Sequence, residues 1–219
     1  MARKTKAEAE LTRDAILDAA EAIFFEKGVA RTTLDEISRA AGVTRGALYW
    51  HFRNKADVLT ALIHRVESPI DHLLADIAEA DAGERDLLDR TRQVFRRVFE
   101  ELAEDTQRQR VFTILIQGTE LVGEMQPVQD HFDAKGQRLV AEIRRVLERC
   151  RASGELPPEV DPALASSAVH AFVIGIHMLA LRCGGPLDLR CDAPAMIDMF
   201  FAGLARGRLP RPENHTEIA

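Results

Sequence analysis

Apolar side chains recur along this chain at spacings of three and four, and no sustained alternation at two occurs. Leu11, Ala15, Ile16, Ala19, Ala20 and Ile23 form a first helical stripe, which stops at Lys27-Gly28, a good C-terminal cap. Thr33-Leu34-Asp35-Glu36 has the form of a capping box and predicts a second helix to about Ala41. Gly42-Val43 turns the chain, Thr44 can cap a third helix ending near Phe52, and Asn54 with Asp57 caps a fourth. The second and third helices are too short to stand alone and must pack on the first and fourth. Leu59, Leu62, Ile63 and Val66 carry the fourth helix onward until Pro69, which either kinks it or starts a new stretch.

Further helices are predicted from about Asp86 to Ala103, from Thr106 to about Gln117, and from Pro127 to Ser153, where Gly154 and Pro157-Pro158 end the last. Asp161-Pro162 opens the next helix, which Gly184-Gly185-Pro186 closes. Asp192 with Pro194 opens the final one, ending near Gly203 or Arg206. The expected fold is all-α, with about nine helices. A three-helix N-terminal head with a helix-turn-helix joins a larger helical body through the fourth helix. The expected boundaries are a head over 10–65 with its motif at 33–52, a body over 66–206, and a polar, frayed tail over 207–219.

Composition adds a qualification. The net charge of −6 argues at first against a polyanionic partner, but the charge is uneven. Residues 1–65 hold 11 Lys and Arg against 9 Asp and Glu, while the remainder holds 18 against 26, so the basic excess gathers in the head. Cys150, Cys183 and Cys191 form no CxxC pair and no zinc-finger spacing, which predicts a reducing compartment and no structural metal. With no N-terminal hydrophobic signal and no run of 18 apolar residues, a cytoplasmic protein is expected. No Ser/His/Asp or Cys/His arrangement, Gly-rich phosphate loop or paired carboxylate site points to an enzyme, and no cofactor is expected.

The segment GVTRGALYWHFRNK, residues 42–55, carries the most chemistry. It holds the only Tyr and the only Trp of the chain, while the ten Phe residues, Phe52 among them, serve mostly the interior. Arg45 and Lys55 each sit in the first turn of a predicted helix, where the macrodipole disfavours a cation, and a phosphate placed there would gain from both. Leu48, Phe52 and Val43 suit the buried stripe, and Gly46 and Ala47 let the helix sit deep in a major groove. That leaves Thr44, Arg45, Gly46, Tyr49, Trp50 and His51 toward double-stranded DNA. Arg45 is the candidate base reader, since a guanidinium pairs both acceptors of a guanine. Thr33, Tyr49 and Lys55 are assigned to phosphates, which fix register, and Thr32 is a further candidate DNA contact. Arg3, Lys4 and Lys6 form a basic tail.

A chain running TRDAILDAAEAIFFEKGVARTTLDEISRAAGVTRGALYWHFRNKADVL resembles the TetR family of transcriptional repressors, most closely its repressors of multidrug efflux pumps, of the AcrR, TtgR and SmeT type. The likeness is dense from about residue 10 to residue 65, and in the body rests on helix number, helix length and short stretches such as RVFEEL and SGELP. It implies a homodimer that binds operator DNA and is released by a small hydrophobic effector. A regulator or activator of the same fold, responding to one metabolite such as a fatty acyl compound, is the alternative.

In the body, an apolar cavity with a few polar groups is expected from Ile70, Phe95, Phe112, Phe132, Gly136, Leu139, Ile143, His170, Val173 and His177. Gly136 interrupts an inward stripe, and His170 and His177 share one face of an apolar helix. No carboxylate or Cys joins them, so no metal is expected there. Val169, Phe172 and Ile176 on one helix and Met196, Phe200 and Leu204 on the next exceed what one body needs, and predict a four-helix dimer interface.

Overall fold

The computed structural model describes residues 6–81, 84–118, 123–182 and 187–207. Among them every regular element is helical. The helices are α1 (Lys6–Lys27), α2 (Leu34–Ala40), α3 (Arg45–His51), α4 (Lys55–Val66), α5 (Ile70–Glu79), α6 (Leu87–Glu104), α7 (Thr106–Gly118), α8 (Gln126–Ser153), α9 (Pro162–Ala180) and α10 (Asp192–Arg206), with a 3-10 turn at Gly123–Met125 before α8. The all-α expectation holds. Of the two roles the sequence allows Pro69, the chain takes the second and begins α5, a separate helix.

The head's punctuation is as the sequence spells it. Thr33 accepts from the backbone N–H of Glu36 while the Glu36 side chain accepts from that of Thr33, closing the capping box. Thr44 accepts from Ala47 N–H, and Asn54 from Asp57 N–H, each fixing a helix start. Gly42, at φ +66, takes the left-handed turn between α2 and α3 that an L side chain would resist. Asp161 accepts from Ala163 N–H as expected, but α10 starts differently: Cys191 holds the cap position without a side-chain bond, and Asp192 lies in the first turn. α9 ends at Ala180; the closing Gly184-Gly185-Pro186, together with Cys183, lies outside the described residues, as do Arg3, Lys4 and the tail beyond Gly207.

The chain divides into two compact units. The first holds the described residues of Met1–Ser68, Glu101–Gln137 and Gly175–Leu187. Its core joins Ile16, Leu17, Phe24, Ile37, Leu48, Phe52, Leu59 and Leu62 of the head to Val111 and Ile114 of α7, Met125, and Val128 of α8. α1 packs on α7 as well as on α2, α3 and α4, and α4 packs on α7 and the 3-10 turn. The head therefore has no core of its own that closes at residue 65. Glu21, buried on α1, accepts a 2.8 Å hydrogen bond from the Gln107 amide and pairs with Arg110, adding a polar tie between α1 and α7.

The second unit holds the described residues of Pro69–Glu100, Arg138–Ile174 and Asp188–Ala219. Leu74, Leu87, Phe95, Phe99, Ile143, Val146, Leu147, Ile197 and Phe201 are buried. The Arg149 guanidinium donates to the carbonyls of Ile77, Ala78 and Asp81 and so satisfies the open C-terminal end of α5. α9 is the most apolar long helix among the described residues, although Ser166, Ser167, His170 and His177 interrupt its apolar run. An 18-residue window of it has mean hydropathy 1.7, enough by length and composition to cross a membrane, and only 28% of that window is buried.

Candidate nucleic-acid interface and the body residues

α3 is short and sharply two-sided. Leu48 is fully buried and Phe52, its C-cap, nearly so, and Val43 packs partly buried against the same core. The opposite side carries Arg45, Tyr49 at 53% exposure and Trp50 at 74%. Two large aromatics left in water on one helical turn give up the burial that such side chains normally gain. Trp50 meets the His51 ring edge-on at 4.6 Å, which holds both rings at the rim of this surface. Thr44 and Gly46 are exposed beside them, and no atom outside Gly46's own turn crowds its Cα. The surface thus offers a guanidinium, a phenol, an indole and an imidazole around a helix start with little steric bulk, as groove insertion requires.

Arg45 is not idle in this state, because its guanidinium pairs with Asp35 of α2. To take any other partner, that guanidinium must share or leave the Asp35 carboxylate. Glu36 is held ionised by its hydrogen bond from Lys27, then by those from Thr33, which pull its pKa down to about 2.

Two expected contacts are placed differently. Thr32 is 1% exposed, and its hydroxyl donates to the Gly28 carbonyl, so its side chain caps the turn after α1. Lys55 is half-buried, with its ammonium donating to the carbonyls of Val29 and Ala30. Two of its three donors are therefore engaged inside the protein, and the backbone N–H that opens α4 is taken by Glu124. Thr33 remains exposed, but its hydroxyl serves the capping box.

The ten residues expected to line one cavity divide between the two units. Phe112, Phe132, Gly136 and His177 belong to the first, where the Phe112 and His177 rings lie 5.5 Å apart and Phe132 packs against the head core. Ile70, Phe95, Leu139, Ile143, His170 and Val173 belong to the second, and all but His170 are buried there. Phe95 lies 6.0 Å from the Phe201 ring, as a core aromatic does. Burial lowers the pKa of His170, so it favours the neutral imidazole. A cleft of about 480 Å³ does open in the second unit, but none of the ten lines it. Asp86, Asp89, Glu155, Asp198 and Arg92 line that cleft together with Leu88, Phe201, Ala202 and Ala205, and Arg92 bridges Asp89 and Asp198.

The expected interface is also rearranged. Val169, Ile176 and Leu204 are buried within the chain itself and cannot face a second copy. Phe172 and Phe200 stack on each other at 4.6 Å and are partly exposed, and Met196 is half-buried. Within the second unit the exposed apolar positions include Leu164, Ala171 and Ile174 on α9, and Met199 and Ala202 on α10, beside Gly203. At spacings of three, four and seven they form one face of each helix.

Two family descriptions match this chain. Residues 16–62 match "Bacterial regulatory proteins, tetR family", and residues 86–205 match "MAATS-type transcriptional repressor, C-terminal region". The chain belongs to the TetR family. It is 36% identical over 198 residues to the transcriptional regulator TtgR of Pseudomonas putida, covering 90% of this chain and 93% of that one. It is similar in structure to NalD, the secondary repressor of the MexAB-OprM multidrug efflux pump in Pseudomonas aeruginosa, with TM-score 0.83, 34% identity, and coverage of 92% of this chain and 99% of that one. A complex of SmeT, the repressor of a Stenotrophomonas maltophilia multidrug efflux pump, with triclosan matches with TM-score 0.75 and 36% identity, covering 88% and 90%.

In this TetR-family regulator the sequence reading missed three groups. Asp35 looks like part of a cap, yet its place ten residues before Arg45, across one tight turn, is a usable signal for the pair. The Glu21–Gln107–Arg110 tie joins residues far apart in the chain and left no local signal. The third lies where α4 ends. Glu67, its C-cap, takes a 2.6 Å contact from His131, a 3.1 Å contact from His64 and a 3.2 Å contact from Lys135. Burial pushes the Glu67 carboxyl up, but the His131 hydrogen bond and Lys135 outweigh it and bring the pKa down to about 2.

Proposed function

We propose that this chain represses a multidrug efflux operon as a cytoplasmic homodimer, binding operator DNA through α3 and leaving it when a small hydrophobic compound binds the body. The observation that carries the reading is α3 itself: a buried Leu48 and Phe52 on one side, and Arg45, Tyr49 and Trp50 held outward on the other. Within this reading Arg45 reads a base, Thr44, Tyr49 and Trp50 contact the backbone or groove wall, and Thr33 and Lys55 approach phosphates with whatever donors their internal bonds leave. Two copies related by a two-fold axis would place two recognition helices one DNA turn apart. The apolar face of Leu164, Ala171, Ile174, Met199 and Ala202 supports that pairing, because a water-soluble regulator gains by covering it.

The compound would act through the head-bearing unit. Phe112, Phe132, Gly136 and His177 lie there, the first three on α7 and α8, which share a core with α1 and α4. A ligand that shifts α7 or α8 would thereby tilt α1 and α4 and change the spacing of the two recognition helices. Reciprocity requires operator DNA to weaken the ligand by the same factor. A gel-shift titration on the DNA upstream of this chain's own gene, with and without triclosan and a panel of other hydrophobic compounds, tests the proposal. Sequence-specific retardation relieved by at least one compound supports it; equal affinity for scrambled DNA overturns it.

A further inference from the structure

Away from the DNA-facing surface, one group of histidine and carboxylate side chains converges among the described residues: His64, Glu67 and His131. We propose that these three side chains form a binding site for a divalent transition metal, with zinc the ion that best fits their chemistry. The last turn of α4 brings His64 and Glu67 to one face, three residues apart, and the first half of α8 supplies His131. All three donor atoms lie within 4.8 Å of one another. The His131 Nε2 is 2.6 Å from Glu67 Oε1, and the His64 Nδ1 is 3.1 Å from Glu67 Oε2. A tetrahedral zinc with bonds of ~2.0–2.2 Å holds its ligands about 3.3 Å apart. Small side-chain rotations therefore close the group on an ion without moving a helix.

Two imidazoles and one carboxylate are the donor set of zinc and its neighbours, whereas magnesium and calcium ask for oxygen alone. Three protein ligands leave a fourth position for water, and His64, which is exposed, gives the ion a path in from solvent. The group has a resident competitor. The Lys135 ammonium lies 3.2 Å from Glu67 Oε1 and 3.4 Å from the Ser68 carbonyl, so it already neutralises the carboxylate. An entering dication must expel Lys135, whose long side chain can turn to solvent, and take the His131 Nε2 in its unprotonated tautomer. Once bound, the ion would bolt the end of α4 to α8 with coordinate bonds in place of hydrogen bonds. α4 follows α3 directly, so this regulator would carry a second input to its recognition helix, independent of any hydrophobic ligand.

The test uses the full-length protein, stripped with a chelator and titrated with Zn²⁺ and with Co²⁺. The expected result is one saturable ion per chain, a raised unfolding temperature, and a visible cobalt spectrum without the thiolate charge-transfer band that Cys150, Cys183 or Cys191 would produce. His131→Gln and Glu67→Gln should each weaken binding by more than about 100-fold, since losing even a hydrogen-bond partner of a ligand costs about 10–100-fold. His131→Gln keeps an N–H donor for Glu67, and circular dichroism verifies its fold. Lys135→Met should tighten zinc several-fold by removing the competing cation, an effect that an ion-pair cluster of structural role alone would not give. No saturable uptake, a thiolate band, or binding that survives His131→Gln overturns the proposal.

Discussion

Leu48 and Trp50 sit two residues apart on α3 and face opposite ways, which allows folding and recognition to be separated by mutation. Leu48 is fully buried, and Leu48→Ala should cost about 2–5 kcal/mol through lost burial and the cavity left behind. Trp50 is 74% exposed. With a side-chain area of ~250 Å², it removes only ~65 Å² from water, worth about 1.6 kcal/mol at ~25 cal/mol/Å², and less against a compact unfolded chain. At roughly 2–4 °C per kcal/mol for a chain of this size, Trp50→Ala should lower the midpoint by no more than about 6 °C. Operator affinity should rank the two the other way once corrected for the folded fraction. Trp50→Ala should lose about tenfold or more, ~1.4 kcal/mol, in anisotropy titrations with labelled operator. Because Trp50 is the only tryptophan, its own emission reports on α3, and operator should change it while scrambled DNA should not. The reasoning fails if Trp50→Ala unfolds as readily as Leu48→Ala, or if it binds operator like the parent.

Arg45→Ala should cost about 1–3 kcal/mol of operator affinity and relax discrimination at one base pair per half-site, measured by competition with point-substituted operators. Glu21→Ala strips the Gln107 amide of a buried charged acceptor, and should lower stability by about 1.5–3 kcal/mol in urea titration, with DNA affinity falling in parallel. Met199→Glu should leave each chain folded, since Met199 is 70% exposed, yet bury an unpaired charge if α10 meets its copy. Sedimentation should then show monomers, and a dimer that survives would place the interface elsewhere. Glu67 has a folded-state pKa of about 2 against an ordinary 4.5, so its stabilising effect is full above about 4.5 and is lost as the pH falls toward 2. Glu67→Gln should flatten the unfolding temperature over that window, and an unchanged pH profile would contradict the linkage.

The parts of this fold that were legible in the sequence are those decided within a few residues. Thr33, Thr44 and Asn54 each accept a backbone N–H three positions on, so a cap can be read without knowing what the helix packs against. The two-sidedness of α3 was legible for the same reason, because Leu48 and Phe52 are four apart on one small helix. Positions decided by distant neighbours were not. Lys55 looks like a free cation at a helix start, yet the carbonyls it bonds lie 26 and 25 residues away. On α9, apolar nearly all the way round, periodicity cannot say which side turns inward, so Val169 and Ile176 read as interface although Leu164 and Ile174 hold the exposed face. His131 reaches Glu67 from 64 residues away, and no spacing rule joins them.

The shared core of the head-bearing unit changes how a signal can reach α3. From the sequence, α4 looks like the sole connection, and induction then has to travel along one helix. In the structure α1 also rests on α7 through Val111 and Ile114, Glu21 is tied to Gln107 and Arg110, and the start of α4 is held by Glu124 beside the 3-10 turn. A coupling between two ligands is typically ~1–3 kcal/mol, and a single hydrogen bond to a charged group contributes about 1.5–3 kcal/mol. An effector therefore need disturb only one of these contacts to account for a full allosteric response. Core packing on α7 resists gradual deformation, so that disturbance passes to α1 as a rigid shift rather than being absorbed. If induction runs as proposed, substitutions at Glu21 and Glu124 would change it by altering how α1 and α4 rest on α7 and the 3-10 turn.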